Sequence, residues 1–350
     1  MNLRKIVIAL AALGASSTAL AGTIDSTCAG DSVTVGCEQA GWQVGAKYLF
    51  VQPTGDQLYS DLSSHSKWAS GFELNTAYLF GEGKDVSLNW TYFSKTSKRN
   101  VQPLDTLLTP IIDTRKNSLT NISDSAEQIK SKFSAVNLEF GQTAYWGSQV
   151  TTRLHAGLQS VSIKRARSHF DQVAQFGTEN PVFASSQLNY EQTFKGIGPR
   201  VGIDSAYAIG DSNLSLVGKG AITVLAGTSK VRKNSTTLMQ FTPSTPKNDI
   251  AFIETMPDQR TRTIAPALEA KLGLQYDVPL ATGTMMIEAG YQWVNYLQVM
   301  KAPVNAIPDS LDVSKKTLTF EPSNSGIPGN QNNFGYHGFY AGLKWQGDLI

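Results

Sequence analysis

The stretch "GWQVGAKYLFVQP" (residues 41–53) places Trp42, Val44, Ala46, Tyr48 and Phe50 on every second position, with Gln43, Gly45 and Lys47 between the first of them. Period two marks a β-strand with one apolar face. That face meets either the core of a soluble domain or lipid, and the choice between them decides the fold.

The rest of the chain repeats the pattern. Ten strands are predicted, over residues 41–52, 68–81, 85–96, 132–146, 149–164, 195–209, 213–229, 263–278, 283–299 and 334–346. They run about 12–17 residues, enough to cross a bilayer at a tilt, where soluble strands usually have about 5–6. The joins "GEGK" (81–84), "GS" (147–148), "GDS" (210–212) and "PLAT" (279–282) are tight. The joins between them, 53–67, 97–131, 165–194, 230–262 and 300–333, are long and polar. Short and long joins alternate without exception, as periplasmic turns and extracellular loops do in an outer-membrane barrel; five such loops would count against a compact soluble domain. Aromatic residues cluster at both strand ends. Trp42, Tyr78, Phe80, Tyr145, Trp146, Tyr207, Tyr276 and Trp345 fall at the periplasmic ends, and Phe50, Trp68, Phe72, Tyr92, Trp293 and Phe334 at the outer ends. Two interfacial girdles are expected from them.

The predicted fold is therefore all-β, an antiparallel transmembrane barrel of about ten strands with both termini periplasmic, in the bacterial outer membrane. No later stretch has the 18 or more uncharged apolar residues of a membrane helix. The opening "MNLRKIVIALAALGASSTALAG" has a basic start at Arg4 and Lys5, an apolar run at 6–13 and the small-x-small Ala19-Leu20-Ala21. It reads as a cleaved export signal over residues 1–21. Residues 22–40 then form a periplasmic segment, and 41–350 the barrel. Removing the signal takes two of the 30 basic residues and none of the 28 acidic ones, leaving 28 of each. Neutral charge gives no reason to expect nucleic acid. The two cysteines, Cys28 and Cys37, precede the first strand; in an oxidising compartment a disulfide is the natural reading, with free thiols or links between subunits as the alternatives.

The residues between the lipid-facing ones point into the barrel: Lys47, Glu73, Glu139, Arg153, His155, Arg200, Asp204, Lys219, Glu269, Lys271, Glu288 and Lys344, with Asn75, Asn89, Asn137, Gln159, Gln275 and Gln292. On the lipid side an Arg or Lys would cost about 2–4 kcal/mol at midplane. Inside, they either line a wet pore and set ion preference or pair and fill a narrow lumen. Eight strands make a nearly filled barrel and 16–18 an open channel, so ten strands and near-balanced charge favour filling.

No catalytic, cofactor or metal constellation is found. His65, His155, His169 and His337 have no second ligand at metal spacing, and no Gly-x-Ser-x-Gly elbow occurs. "GIGPRVG" (196–202) lacks dinucleotide-motif spacing; its glycines are expected to relieve crowding in a curved sheet. A surface protease built from His65, His169, Asp56, Asp61, Asp171 and Asp258 is an alternative without specifying spacing. The basic run "SKVRKNSTT" (229–237) could touch acidic surface polysaccharide, although a solvated loop face is the commoner reason for such a run.

The pair Cys28…Cys37 followed by "GWQVGAKYLFVQP", the second strand "GFELNTAYLF" (71–80) and the ending "GYHGFYAGLKW" (335–345) resemble the Legionella-type major outer membrane protein family. The resemblance spans the mature chain. It implies a porin-like outer-membrane protein, in some members with adhesive roles, and carries no catalytic residue. The function expected is thus a small, weakly selective pore for ions or small hydrophilic solutes; the alternatives are a filled structural or adhesive barrel acting through its loops, or the protease. Expected partners are outer-membrane lipid, small hydrophilic solutes or ions, a second copy in a homo-oligomer, and host or surface ligands at the loops.

Overall fold

The computed structural model describes residues 34–35, 40–54, 68–80, 82–101, 119–176, 182–210, 212–241, 250–301, 310–312, 317–319 and 331–347. Ten long strands run through them: β1 (Gly41–Thr54), β2 (Ala69–Leu79), β3 (Lys84–Val101), β4 (Leu119–Trp146), β5 (Val150–Phe176), β6 (Val182–Ala208), β7 (Leu214–Phe241), β8 (Ile250–Leu280), β9 (Gly283–Lys301) and β10 (Gln331–Gly347). Each pairs antiparallel with its neighbours in sequence, and β10 pairs with β1, so the sheet closes on itself. Closure leaves no unpaired backbone edge to face lipid. The short segment Thr34–Val35 pairs with Tyr145 and Ala144 at the periplasmic end of β4, and residues 310–312 and 317–319 form a small separate hairpin.

Period-two alternation becomes two surfaces. Tyr48, Leu74, Leu138, Leu158, Val201, Leu272 and Phe339 stand exposed on the outside. A belt of that size is too apolar for water and matches lipid. The periplasmic joins are tight: Glu82 (φ 52°) and Gly83 (φ 70°) turn β2 into β3, the doubly left-handed geometry that fits strand twist. A Cβ on Gly83 would stand 2.7 Å from the Thr143 carbonyl oxygen. In "GIGPRVG", a Cβ on Gly198 would fall 1.9 Å from the Val224 carbonyl oxygen on the neighbouring strand, so this position requires glycine.

Three expectations are corrected. The strands predicted at 132–146, 149–164, 195–209, 213–229 and 263–278 extend far beyond their expected outer ends: β4 to β8 have 27 to 31 residues each. Much of the expected loops 97–131, 165–194 and 230–262 is therefore sheet. Above the membrane neither face touches lipid, so the apolar alternation that identifies a strand disappears while the backbone ladder continues. The barrel has a tall wall, β4–β8, and a short one, β9–β10–β1–β2–β3, of 11 to 19 residues per strand. Second, Phe334 is not in the outer girdle. It lies five residues from lipid-facing Phe339, an odd step that turns it inward, and it is fully buried. Third, "SKVRKNSTT" is not a loop but the upper part of β7. The expected signal at 1–21 and both Cys28 and Cys37 lie outside the described residues.

Candidate functional site in the barrel lumen

The inward rows change character with height. In the periplasmic half they carry charge. Lys219 (β7) approaches Glu288 (β9) at 3.4 Å, and Glu288 receives Lys47 (β1) at 2.8 Å. Lys47 faces Glu73 (β2) at 3.9 Å, Glu73 receives Lys271 (β8) at 2.6 Å, and Lys271 meets Glu269 at 3.2 Å. Glu269 binds Arg200 (β6) at 2.9 Å, and Arg200 binds Glu139 (β4) at 2.8 Å. Glu139 lies 3.7 Å from Arg153 (β5), which also takes Asp85 (β3) at 2.6 Å and Asp204 (β6) at 3.3 Å. The result is one chain of alternating charges across the barrel, mostly between strands that are not neighbours. Strand β10 joins through Tyr340, whose hydroxyl donates to Glu288 at 2.9 Å and whose ring lies 4.9 Å from the Lys47 ammonium. His155 sits between Glu139 (3.4 Å) and Asp204 (3.6 Å).

The twelve charged or titratable residues predicted to face inward thus occupy one region. Eleven join this network directly; Lys344 lines the cavity beneath it and makes no ion pair among the described residues. Sequence reasoning missed Asp85, which is buried and takes two hydrogen bonds from Arg153, at 2.6 and 2.7 Å. It is the second residue of β3, next to a turn, where an Asp ordinarily reads as turn chemistry. With Asp85 included, six basic side chains face six acidic ones. Among the polar residues, Gln159 donates to Asn137 at 2.9 Å, and Asn75 donates to Asn89.

Above this tier the inward rows turn apolar. Leu49, Val51, Phe93, Phe133, Ile163, Phe194, Leu225, Tyr296, Phe334 and Tyr336 are almost wholly buried in one cluster. Its rings meet across the lumen: Phe93 on β3 touches Tyr336 on β10 at 4.9 Å, and Phe133 on β4 touches Tyr296 on β9 at 5.6 Å and Phe334 on β10 at 6.0 Å between centroids. Side chains from opposite walls in ring contact occupy the cross-section between them. The signal for this plug is present in the opening stretch, where Leu49 and Val51 break the alternation and make both faces apolar. Below the plug the described residues enclose open space. A cavity of about 60 Å³ lies among Glu73, Glu139, His155, Arg200, Glu269 and Lys271. Another, about 260 Å³, extends toward the periplasmic end past Gln43, Leu79 and Gln346.

Of the residues considered for a protease, His65, Asp56 and Asp61 lie outside the described residues. His169, Asp171 and Asp258 lie on β5 and β8 rather than on loops. His337 faces outward and bonds to the Tyr291 hydroxyl.

A family model described as Legionella pneumophila major outer membrane protein precursor matches residues 34–347. The chain belongs to that family. Its place is accordingly the bacterial outer membrane, in agreement with the closed barrel and its apolar belt. Among curated proteins none matches this family member in sequence. Among solved structures it is similar to the outer membrane protease OmpT of Escherichia coli, with 10% identity over 90% of this chain and 94% of that one and a TM-score of 0.31. It is similar also to a major outer membrane protein of Thermus thermophilus (11% identity, 88% and 100% covered, TM-score 0.25). A third is the toluene transporter TodX of P. putida (6% identity, 92% and 91% covered, TM-score 0.24). These likenesses say nothing of activity in this chain.

Proposed function

We propose that this family member is a structural surface barrel with a closed lumen, acting outside the cell through the tall wall formed by β4–β8. One observation carries the reading: the rings of Phe93, Phe133, Tyr296, Phe334 and Tyr336 meet across the lumen from opposite walls. A solute crossing at that level would have to displace buried aromatic side chains. The charged tier beneath supports the same reading, because its ions satisfy one another rather than standing in wide water.

The porin-like role has its own support. The lower half of the lumen is polar and holds the cavity of about 260 Å³, so the aromatic tier is the barrier such a pore would have to open. Planar-bilayer recording separates the two. The closed barrel gives no conductance steps from the native chain, while Phe133→Ala with Phe334→Ala gives discrete steps. Stable steps from the native protein would establish the pore instead. Cleavage of a peptide library by the same preparation would favour the enzyme over both.

A further inference from the structure

One cation of the lumen stands apart from the ion-pair network. Lys344 on β10 lines the cavity of about 260 Å³ and makes no ion pair among the described residues. The other three cations lining that cavity are engaged: Lys47 with Glu288 at 2.8 Å, Lys219 with Glu288 at 3.4 Å and Arg153 with Asp85 at 2.6 Å. So are its four carboxylates. Glu73 receives Lys271 at 2.6 Å, Asp85 and Asp204 take Arg153, and Glu139 takes Arg200 at 2.8 Å. Asp277, in the same lateral row as Lys344, lies beyond Met286 and accepts from the Gln275 amide at 2.8 Å. The charges that act on Lys344 are themselves mixed, Lys219 and Arg153 against Glu288 and Asp204. Its own charge is left without a close counter-ion.

The wall beside it is cut away. Lys344 pairs with Gly45 on β1, and Gly45 pairs with Asn75 on β2. All three share the inward parity. A Cβ on Gly45 would stand 3.2 Å from both Cβ and Cγ of Lys344, so the glycine leaves room for the lysine stem. On the far side of that gap Asn75 donates its amide N–H to the Asn89 carbonyl. Its own buried Oδ1 accepts no hydrogen bond among the described residues. A buried acceptor without a donor is costly and points to a group that supplies one. The same cavity therefore offers a cation without a counter-ion and an acceptor without a donor, with one glycine between them.

We propose that the periplasmic half of the lumen binds a small monocarboxylate that also carries an N–H or O–H donor, the class of the amino and hydroxy acids. The carboxylate meets the Lys344 ammonium, and the donor meets Asn75 Oδ1 across Gly45. Ala77, Leu79, Val217 and Met286 supply an apolar side to the same space. The two polar groups have opposite hydrogen-bonding sense, so a bare inorganic anion serves Lys344 and leaves Asn75 unmet. Water serves both but brings no charge to offset the ammonium. At about 260 Å³ the cavity is smaller than the roughly 300–1,000 Å³ of drug-sized sites, which limits the occupant to a small solute. The cavity extends toward the periplasmic end, so the ligand enters from the periplasm. That route rests on the closed lumen proposed above; the site itself does not.

The test is equilibrium dialysis of the full chain, folded in detergent, against radiolabelled L-lactate and L-alanine, their amides, and acetate. At least one of the two acids should bind saturably. Its amide, which lacks the carboxylate, should bind about tenfold more weakly, since the bond to Lys344 is charge-assisted. Acetate, which lacks the donor, should bind about fivefold more weakly. Lys344→Gln should remove binding of the acid while heat-modifiability is kept, and Asn75→Ala should lower its affinity to that of acetate. The comparison of solutes on the native chain stands even if those variants fail to fold. Saturable binding of neither acid would overturn the proposal. So would equal binding of acid and amide, or displacement by chloride as effective as by the unlabelled acid. Conductance is a separate readout: steps in a planar bilayer would overturn the closed lumen and leave the measured affinity standing, whereas a silent barrel that binds neither acid would overturn the site alone.

Discussion

At the scale of the residue, Arg153 shows how the lumen is held. Its guanidinium serves Asp85, Asp204 and Glu139 from three other strands. Arg153→Gln leaves those carboxylates facing one another in a confined space, and loss of one partner of a buried pair costs about 3–5 kcal/mol. The denaturation midpoint of the folded barrel should fall steeply. Arg153→Gln with Asp85→Asn should recover part of the loss, because the pair is then removed together; a double-mutant cycle measures the coupling. If the lumen were wide and wet, Arg153→Gln would barely move stability and would shift ion selectivity instead. Phe133 makes the complementary case. Phe133→Ala removes a ring that touches Phe93, Tyr296, Phe334 and Tyr336, at a cost of about 3–5 kcal/mol. Unfolding should come at lower denaturant, and conductance should appear in single-channel traces.

At the scale of the element, the tall wall separates membrane anchoring from surface presentation. Hairpin β5–β6 continues in register well above the belt, with Ser168 opposite Asn189. Removing residues 169–188 and joining Ser168 to Asn189 through an Asn-Gly turn keeps every pair below the cut and supplies the left-handed geometry a two-residue hairpin needs. The shortened protein should assemble in the outer membrane and stay heat-modifiable. Cell adhesion or antibody binding at the surface should drop if the tall wall is the acting part. Failure to assemble would show instead that the upper hairpin takes part in forming the barrel. The connections at the periplasmic end are less tolerant: Gly83→Val adds a branched side chain at a left-handed position facing the Thr143 carbonyl, and slower assembly is the expected outcome.

At the scale of the whole molecule, the barrel is an inverted solution to burial, with apolar residues outside and charge within. Leu158 stands half exposed on the outer face of β5, beside inward Gln159, which is buried. Leu158→Arg should cost about 2–4 kcal/mol when the protein is folded into vesicles, read as a shift in the urea midpoint. The same substitution at Ser168, higher on the same outward row, should cost far less. The three inward tiers also explain how ten strands enclose so little space: charged pairs fill the lower half, rings close the next level, and pairs such as Arg167 with Glu127 continue above.

The alternation in "GWQVGAKYLFVQP", repeated along the chain, determined the strand count, the order of turns and loops, the lipid face and the inward direction of all twelve charged residues, because each follows from the two-residue period alone. The same parity places Asp85 and Phe334 inward, yet both were missed: Asp85 was left off the inward residues at the first position of its predicted strand, and Phe334 was placed by its position near a strand end rather than by parity. The length of β4–β8 did escape that logic, since a ladder in water needs no apolar face to persist. Which charge meets which was decided only by closure. Arg153 and Asp85 are 68 residues apart with a whole strand between them, and Lys271 reaches Glu73 across 198 residues. The plug was likewise settled in three dimensions: Phe93, Phe133, Phe334 and Tyr336 are ordinary inward residues on three strands until the barrel's curvature brings their rings to one point.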